Sequence, residues 1–326
     1  MSQGSKLEQE MTEQFVTIID SLYLAQVLTL YRSMQRHLDS FTLWIVCVDP
    51  DSFEALHALK LENAFLINLQ DHESPLYRQA KLNRSSGEYC WTINPLAPQL
   101  VFQHSADIKR LTYLDADLWF TANPKELFKE FDHSQKSILI TEHAYLDQYP
   151  SQNLSGRFCA QWITYSQKNY IKPVLWWEQQ CLEWCYDRFE DGKLGDQKYL
   201  ESWPALFPAH IHIYSNPKAI MAPWNLGDDH PPKDAFAHHF HGLRLRSNSQ
   251  YVLKAHTLPS ARSWENLYCP YLNDLATSVA LLEARGQTIA AQITFFWDDD
   301  SLEKQQFFEQ QLVASKQYRF GALTAP

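Results

Sequence analysis

Asp115 and Asp117, one residue apart around the small Ala116, are the pair in this chain best placed to do chemistry. An apolar run, Leu111 to Leu114, leads into them and reads as a strand; Leu118, Trp119 and Phe120 resume the apolar character before Asn123-Pro124 ends it. Two carboxylates this close repel each other and are poorly solvated among apolar neighbours. A hard divalent cation, Mn²⁺ or Mg²⁺, relieves both costs because it prefers oxygen ligands. Ala116 leaves room for a ligand to approach the backbone. The plain alternative is a strand-ending turn, a common place for Asp.

Two later stretches bear on that choice. Asp196-Gln197 follows Gly195 at the start of a short helical pattern, where Asp is also favoured by the helix dipole. His238-His239-Phe240-His241-Gly242 reads as a strand whose alternation puts His239 and His241 on one side and His238 on the other. Two carboxylates and one imidazole form a sensible ligand set for Mn²⁺, with positions left for water or a substrate phosphate. A zinc hydrolase would more naturally have HExxH or a cysteine-rich set, and the chain has neither. A cation with open positions suits a diphosphate leaving group, whose charge it neutralises.

The elements that must position these groups alternate between strand and helix. Phe15–Ile19, Phe41–Val48 and Ala64–Leu69 read as continuous apolar strands, separated by a helix over Tyr23–His37 and another capped by Ser52. Strands apolar throughout are buried on both faces, as in a mostly parallel sheet covered by helices. Ligands of such sheets sit beyond the C-terminal strand ends, where Asp20 and the Asp115/Asp117 pair fall. No glycine-rich phosphate loop follows the first strand. Residues 71–91 read as loop-rich, Thr92–Gln103 as a helix, and Pro173 as opening a helix that runs through Cys181, Cys185 and Phe189. Beyond residue 246 the hydrophobic period is helical, at about 264–285 and 301–315. The expected division is a catalytic domain over 1–245 and a helical extension over 246–326.

Composition narrows the classes. The 326 residues are 45% hydrophobic and 14% aromatic, enough for a large core and incompatible with disorder. Eleven Trp and sixteen Tyr would suit a site for flat or sugar-like ligands, plain packing being the alternative. The formal charge of −10, with no long basic run, argues against nucleic acid as a partner. No apolar stretch has the length of a membrane span, residues 1–13 are polar without a signal-peptide core, and a cytoplasmic location is expected. Six scattered cysteines without a CxxC pair read as reduced core thiols.

Taken in order, Asp20 and Tyr23 after the first strand, Tyr113-Leu-Asp115-Ala-Asp117, Gly195-Asp196-Gln197, Trp224-Asn225 and His239-Phe-His-Gly242 resemble the GT-A-fold glycosyltransferases of retaining family 8, the glycogenin and bacterial lipopolysaccharide galactosyltransferase type. The resemblance covers about residues 14–245. It implies a three-layer α/β fold with a nucleotide-sugar-binding half and transfer of a sugar from a nucleotide-diphosphate donor, a UDP-sugar by type, to a glycan or glycolipid hydroxyl. It further implies that Asp115, Asp117 and His239 hold Mn²⁺ on the diphosphate. Asp20 and Tyr23 would flank the nucleoside, Lys81 and Arg84 would approach the diphosphate or sugar, and Asp196 and Gln197 would line the sugar and acceptor side. Ala116, Asn225 and Gly242 fall within the matching donor-site motifs. Cys159 and Gln161 stand where the family has Asn and Gly, and Leu245 stands at its lysine position between Arg244 and Arg246. These departures leave the donor sugar open. They also keep a non-catalytic nucleotide-sugar binder in view, beside a sugar-phosphate nucleotidyltransferase. The segment after 246 is open to an acceptor-shaping, peripheral-membrane or dimerisation role.

Overall fold

The computed structural model describes residues 12–147, 152–227, 234–247, 250–254, 258–287 and 318–323. Most of the polar leader and the helix expected at 301–315 lie outside the described residues. The β-branched run around Thr17 forms β1 (Glu13–Ile19), and Asp20 caps a single 3-10 turn that leads into the helix Leu24–His37. β2 (Phe41–Cys47), the helix Pro50–Leu59 and β3 (Ala64–Asn68) follow. The cap of that helix is Asp49, not Ser52. The Asp49 carboxylate accepts from the Ser52 amide at 2.7 Å, and Pro50 fills the first turn, where no donor is needed.

The stretch 71–91 is not loop-rich but folds into the helices Pro75–Lys81 and Ser86–Ile93. Its polar residues are caps: Ser85 and Glu88 satisfy each other's backbone in a capping box. The helix expected over 92–103 breaks at Asn94-Pro95 and resumes as Leu96–His104, because Pro95 has no amide to continue the first ladder.

β4 (Arg110–Leu114) ends at the aspartates, and β5 (Leu118–Phe120) follows within four residues. The helix Lys125–Ser134 leads to β6 (Ile138–Glu142), then β7 (Phe158–Ser166). The next helix spans Ile171–Glu183 and ends at an extended Trp184, short of Phe189. The Trp184 carbonyl is held by the Tyr199 hydroxyl at 2.8 Å, and the chain folds back so that Gly195 donates to the Tyr186 carbonyl. Cys181 and Cys185 therefore share no helix face, although both are buried. β8 (Ile211–Ile213), β9 (Ile220–Met221) and β10 (Ala237–His239) complete this part.

Seven strands form the central sheet, in the order β3-β2-β1-β4-β7-β6-β8. Only β7 runs against its neighbours, so β1, β2, β3, β4, β6 and β8 point the same way. Alternate residues of each strand enter separate cores. Phe15, Ile19, Leu43 and Trp162 meet the helices Leu24–His37 and Lys125–Ser134, whereas Val16, Trp44, Val46 and Ile163 meet the helices Leu96–His104 and Ile171–Glu183. Burial on both faces is why the strands read as unbroken apolar runs.

A small second sheet, β5-β10-β9, starts from β5, directly after β4 in the chain. β11 (Leu243–Ser247), β12 (Gln250–Lys254) and β13 (Tyr318–Ala322) form a third, so residue 245 lies inside a strand and the chain beyond it is not wholly helical. The helix Cys269–Glu283 packs on Leu24–His37, where Thr29 donates to Ser278 at 3.0 Å and Tyr271 stacks on Phe240 at 3.6 Å between centroids.

Candidate active site

Pairing of β5 with β10 builds the centre. The antiparallel register sets His239 opposite Leu118, and the Phe240 amide donates to the Asp117 carbonyl at 2.9 Å. This brings the buried imidazole onto the aspartate turn. His239 Nε2 lies 2.9 Å from Asp117 Oδ1 and 3.7 Å from Asp115 Oδ2. One ligand atom from each of the three residues falls within 4.8 Å of the others. The alternation holds: His238 points the opposite way, against Phe240 and Tyr268.

The imidazole is oriented from behind. Gln161 on β7 presents its carboxamide oxygen 2.6 Å from His239 Nδ1. A carboxamide oxygen only accepts, so Nδ1 carries the proton and Nε2 offers a lone pair toward the carboxylates. The donor set therefore suits a divalent cation: two hard oxygen donors and an imidazole fixed in its ligating tautomer. The charges are unequal. Burial raises the Asp115 carboxyl above its ordinary range, although His239 opposes this. Burial acts on Asp117 too, but His239 and Arg244 outweigh it and hold that carboxyl low. Burial works against His239 protonation, yet Asp117 raises it on balance.

Arg244, not Leu245, supplies the cation beside the pair. Its Nη1 lies 3.4 Å from Asp117 Oδ2, and its guanidinium sits over the Tyr23 ring at 5.4 Å. Tyr23 is thereby brought to the Asp115, Asp117 and His239 cluster. Asp20 caps its own turn and accepts from the Ser86 hydroxyl, and burial raises its carboxyl. Ala116 is buried in the aspartate turn, closed by the Leu118 amide on the Asp115 carbonyl at 3.1 Å.

A cavity of about 290 Å³ opens beside Asp115 and His239. Asp196 and Gln197 stand in its wall. Asp196 is buried, and Asn94 Nδ2 donates to its Oδ2 at 2.9 Å while Trp177 Nε1 donates to its backbone carbonyl. Burial lifts its carboxyl to about 7, with the Asp115 charge adding to the effect. Gly195, at φ +53°, lies against Trp91, which covers one side of the cavity.

Other expected residues are placed elsewhere. Lys81 pairs with Glu73 at 3.0 Å and lies over the Tyr89 ring. Arg84 donates to the Leu182 carbonyl at 2.9 Å and rests on Tyr186. Asn225 spends its amide on a turn, donating to the His143 and Ile220 carbonyls and accepting from the Ala222 amide. Gly242, at φ +82°, is required by packing, because a Cβ there would lie 2.2 Å from the Lys254 carbonyl oxygen.

Sequence reasoning missed Asn94, His143 and Tyr145. His143 follows the C-terminal end of β6, the same sheet edge as Asp20 and Asp115, and the strand-end rule could have found it. It is buried and held neutral, with burial lowering its imidazole to about 4, and its Nδ1 has no partner. Nothing local marks Asn94.

No family model matches the chain. The uncharacterized protein YfnF of Bacillus subtilis (strain 168) is 30% identical over 227 residues, covering 67% of this chain and 73% of YfnF. YfnD of the same organism, also uncharacterized, is 26% identical over 281 residues, covering 81% of this chain and 89% of YfnD. Among solved structures, the glycosyltransferase GlyE of Streptococcus pneumoniae superposes with a TM-score of 0.50 at 14% identity, covering 93% of this chain and 74% of that one. The fold is thus the GT-A fold expected above. Among the described residues no helix is long and apolar enough to cross a membrane.

Proposed function

We propose a glycosyltransferase function for this chain, which belongs to the same family as YfnF of Bacillus subtilis. The reaction moves a sugar from a nucleotide-diphosphate donor, a UDP-sugar, to a hydroxyl of a glycan or glycolipid. One observation carries the reading: Asp115, Asp117 and His239 converge within 4.8 Å at the strand ends, beside a cavity whose wall holds a buried Asp196. The GT-A fold of GlyE supports it.

Asp115, Asp117 and His239 would hold Mn²⁺ or Mg²⁺. The bound cation would neutralise the diphosphate and stabilise the charge on the leaving nucleotide. Arg244 adds a fixed positive charge next to Asp117. The sugar lies in the cavity, where Trp91 and Trp224 exclude water and Asp196, held by Asn94, positions the ring. The bond from the anomeric carbon to the phosphate oxygen breaks as the acceptor oxygen bonds to that carbon. The acceptor proton passes to the departing phosphate oxygen, on the same face, and configuration is retained. Asp196 acts through its field and hydrogen bonds rather than as a nucleophile.

A thermal-shift screen of UDP-, GDP- and TDP-sugars with and without Mn²⁺ tests the reading. A native-state ligand at 100 times its Kd adds about 2.7 kcal/mol of apparent stability. The expected result is a UDP-sugar shift that requires the metal; no shift with any nucleotide sinks the reading. Release of UDP from the bound donor then separates a transferase from a non-catalytic binder, which would protect the donor intact.

A further inference from the structure

We infer that the cavity beside Asp115 accepts an uncharged sugar and discriminates against the corresponding uronic acid. This rests on the nucleotide-sugar reading of the site and specifies what its sugar pocket admits.

The charge of the wall decides the matter. Asp187 and Asp196 line the cavity with Asp115, and among the described residues no Lys or Arg does. The cations nearby in sequence point to other partners. Arg84 donates through Nη2 to the Leu182 carbonyl and rests on Tyr186 outside the cavity wall, its Nε and Nη1 unpartnered; Arg157 pairs with Glu142, and Lys198 with Glu201. A divalent cation held by Asp115 and Asp117 would offset those two carboxylates and leave no positive charge over for a further anion in the cavity. A ring carboxylate entering this space would give up its hydration and meet Asp187, joined by Asp196 once that carboxyl ionises above about pH 7, without a counter-ion.

A neutral ring meets complementary groups. Hydroxyls can donate to the Asp196 carboxylate or the unpartnered Nδ1 of His143, and Asn94 keeps a buried, unpartnered amide oxygen. The neutral state of His143 matters here, since a protonated imidazole would supply the counter-ion that an acid needs. Trp91 and Trp224 present rings to the cavity, surfaces suited to the apolar C–H faces of a pyranose.

Matched donor pairs test the inference on the full-length protein. Isothermal titration at pH 8, where Asp196 is ionised, with saturating Mn²⁺ compares UDP-glucose with UDP-glucuronate and UDP-galactose with UDP-galacturonate, with UDP alone as reference. Each acid should bind at least tenfold more weakly than its neutral partner, and a smaller ratio in either pair overturns the inference while leaving UDP binding, and the transferase reading, in place. Failure of UDP itself to bind removes the nucleotide-sugar reading and this inference together. Asp196→Asn should narrow the ratio at least threefold; an unchanged ratio would overturn the assignment of the discrimination to that carboxylate.

Discussion

Gln161 Oε1 accepts a hydrogen bond from Nδ1 of His239 at 2.6 Å, and this bond decides which imidazole nitrogen faces Asp115 and Asp117. Gln161 lies on β7, within the central sheet, whereas His239 lies on β10 of the smaller sheet. The bond therefore ties the two sheets together at the metal triad.

Loss of the Gln161 acceptor should be felt as metal affinity. Outer partners of ligating histidines are typically worth about 10–100-fold in affinity. Gln161→Leu should weaken Mn²⁺ binding by that order in a titration without nucleotide, and Gln161→Glu, which keeps an acceptor, should restore most of it. Equal Mn²⁺ affinity in Gln161→Leu and the wild type would remove the orienting role.

Arg244 predicts a separate effect on the nucleotide. A hydrogen bond to a charged group contributes about 1.5–3 kcal/mol, so Arg244→Ala should weaken UDP binding roughly 10–100-fold in the presence of Mn²⁺. Arg246→Ala is the comparison: Arg246 lies two positions along the same strand, and the bond to Asp117 is made by Arg244. A larger loss in Arg246→Ala would reassign the cation.

Asp196 links stability to pH. Its carboxyl is raised from 3.8 to about 7 by burial, so between those values the native state binds a proton that the unfolded state has released. Stability from this site is thus full below pH 3.8 and declines as pH rises toward 7. At about 1.4 kcal/mol per unit, the cost approaches roughly 4 kcal/mol above pH 7 as an upper limit. Asp196→Asn should abolish that slope and unfold at higher denaturant than the wild type at pH 8, relative to pH 5. Parallel pH profiles for the two proteins would contradict the buried-carboxyl account.

Gly242 tests the packing of the β11–β12 hairpin. Its φ of +82° disfavours any side chain, and the Lys254 carbonyl leaves no space for a Cβ. Gly242→Ala should cost at least about 2 kcal/mol in urea unfolding, combining left-handed strain with overpacking. A loss below ~0.5 kcal/mol, the usual range of surface substitutions, would mean the hairpin yields easily.

The sequence made legible whatever depended on local pattern. β1, β2 and β4 were readable because burial on both faces makes apolar runs, and Asp115, Asp117 and His239 because their strand-end and alternation cues survive in one dimension. The helices over 75–93 were not, because their polar residues serve as caps that look like loop composition. Gln161 read as a departure from a family pattern, yet its side chain serves a histidine 78 positions away, a pairing fixed only by the meeting of two sheets. Asn94 was hidden because nothing local marks it, whereas His143 directly follows a strand end and carried a readable cue. Lys81 and Arg84 were expected to approach the diphosphate or sugar; Lys81 pairs with Glu73, and Arg84 donates to the Leu182 carbonyl.

The central claim is that Asp115, Asp117 and His239 form a metal site that presents a nucleotide diphosphate, and Asp117 is its most buried carboxylate. Isothermal titration of UDP in the presence and absence of Mn²⁺, on the wild type and Asp117→Ala, tests it most directly. The account predicts Mn²⁺-dependent UDP binding in the wild type and its loss in Asp117→Ala. Unchanged Mn²⁺-dependent UDP binding in Asp117→Ala would contradict it.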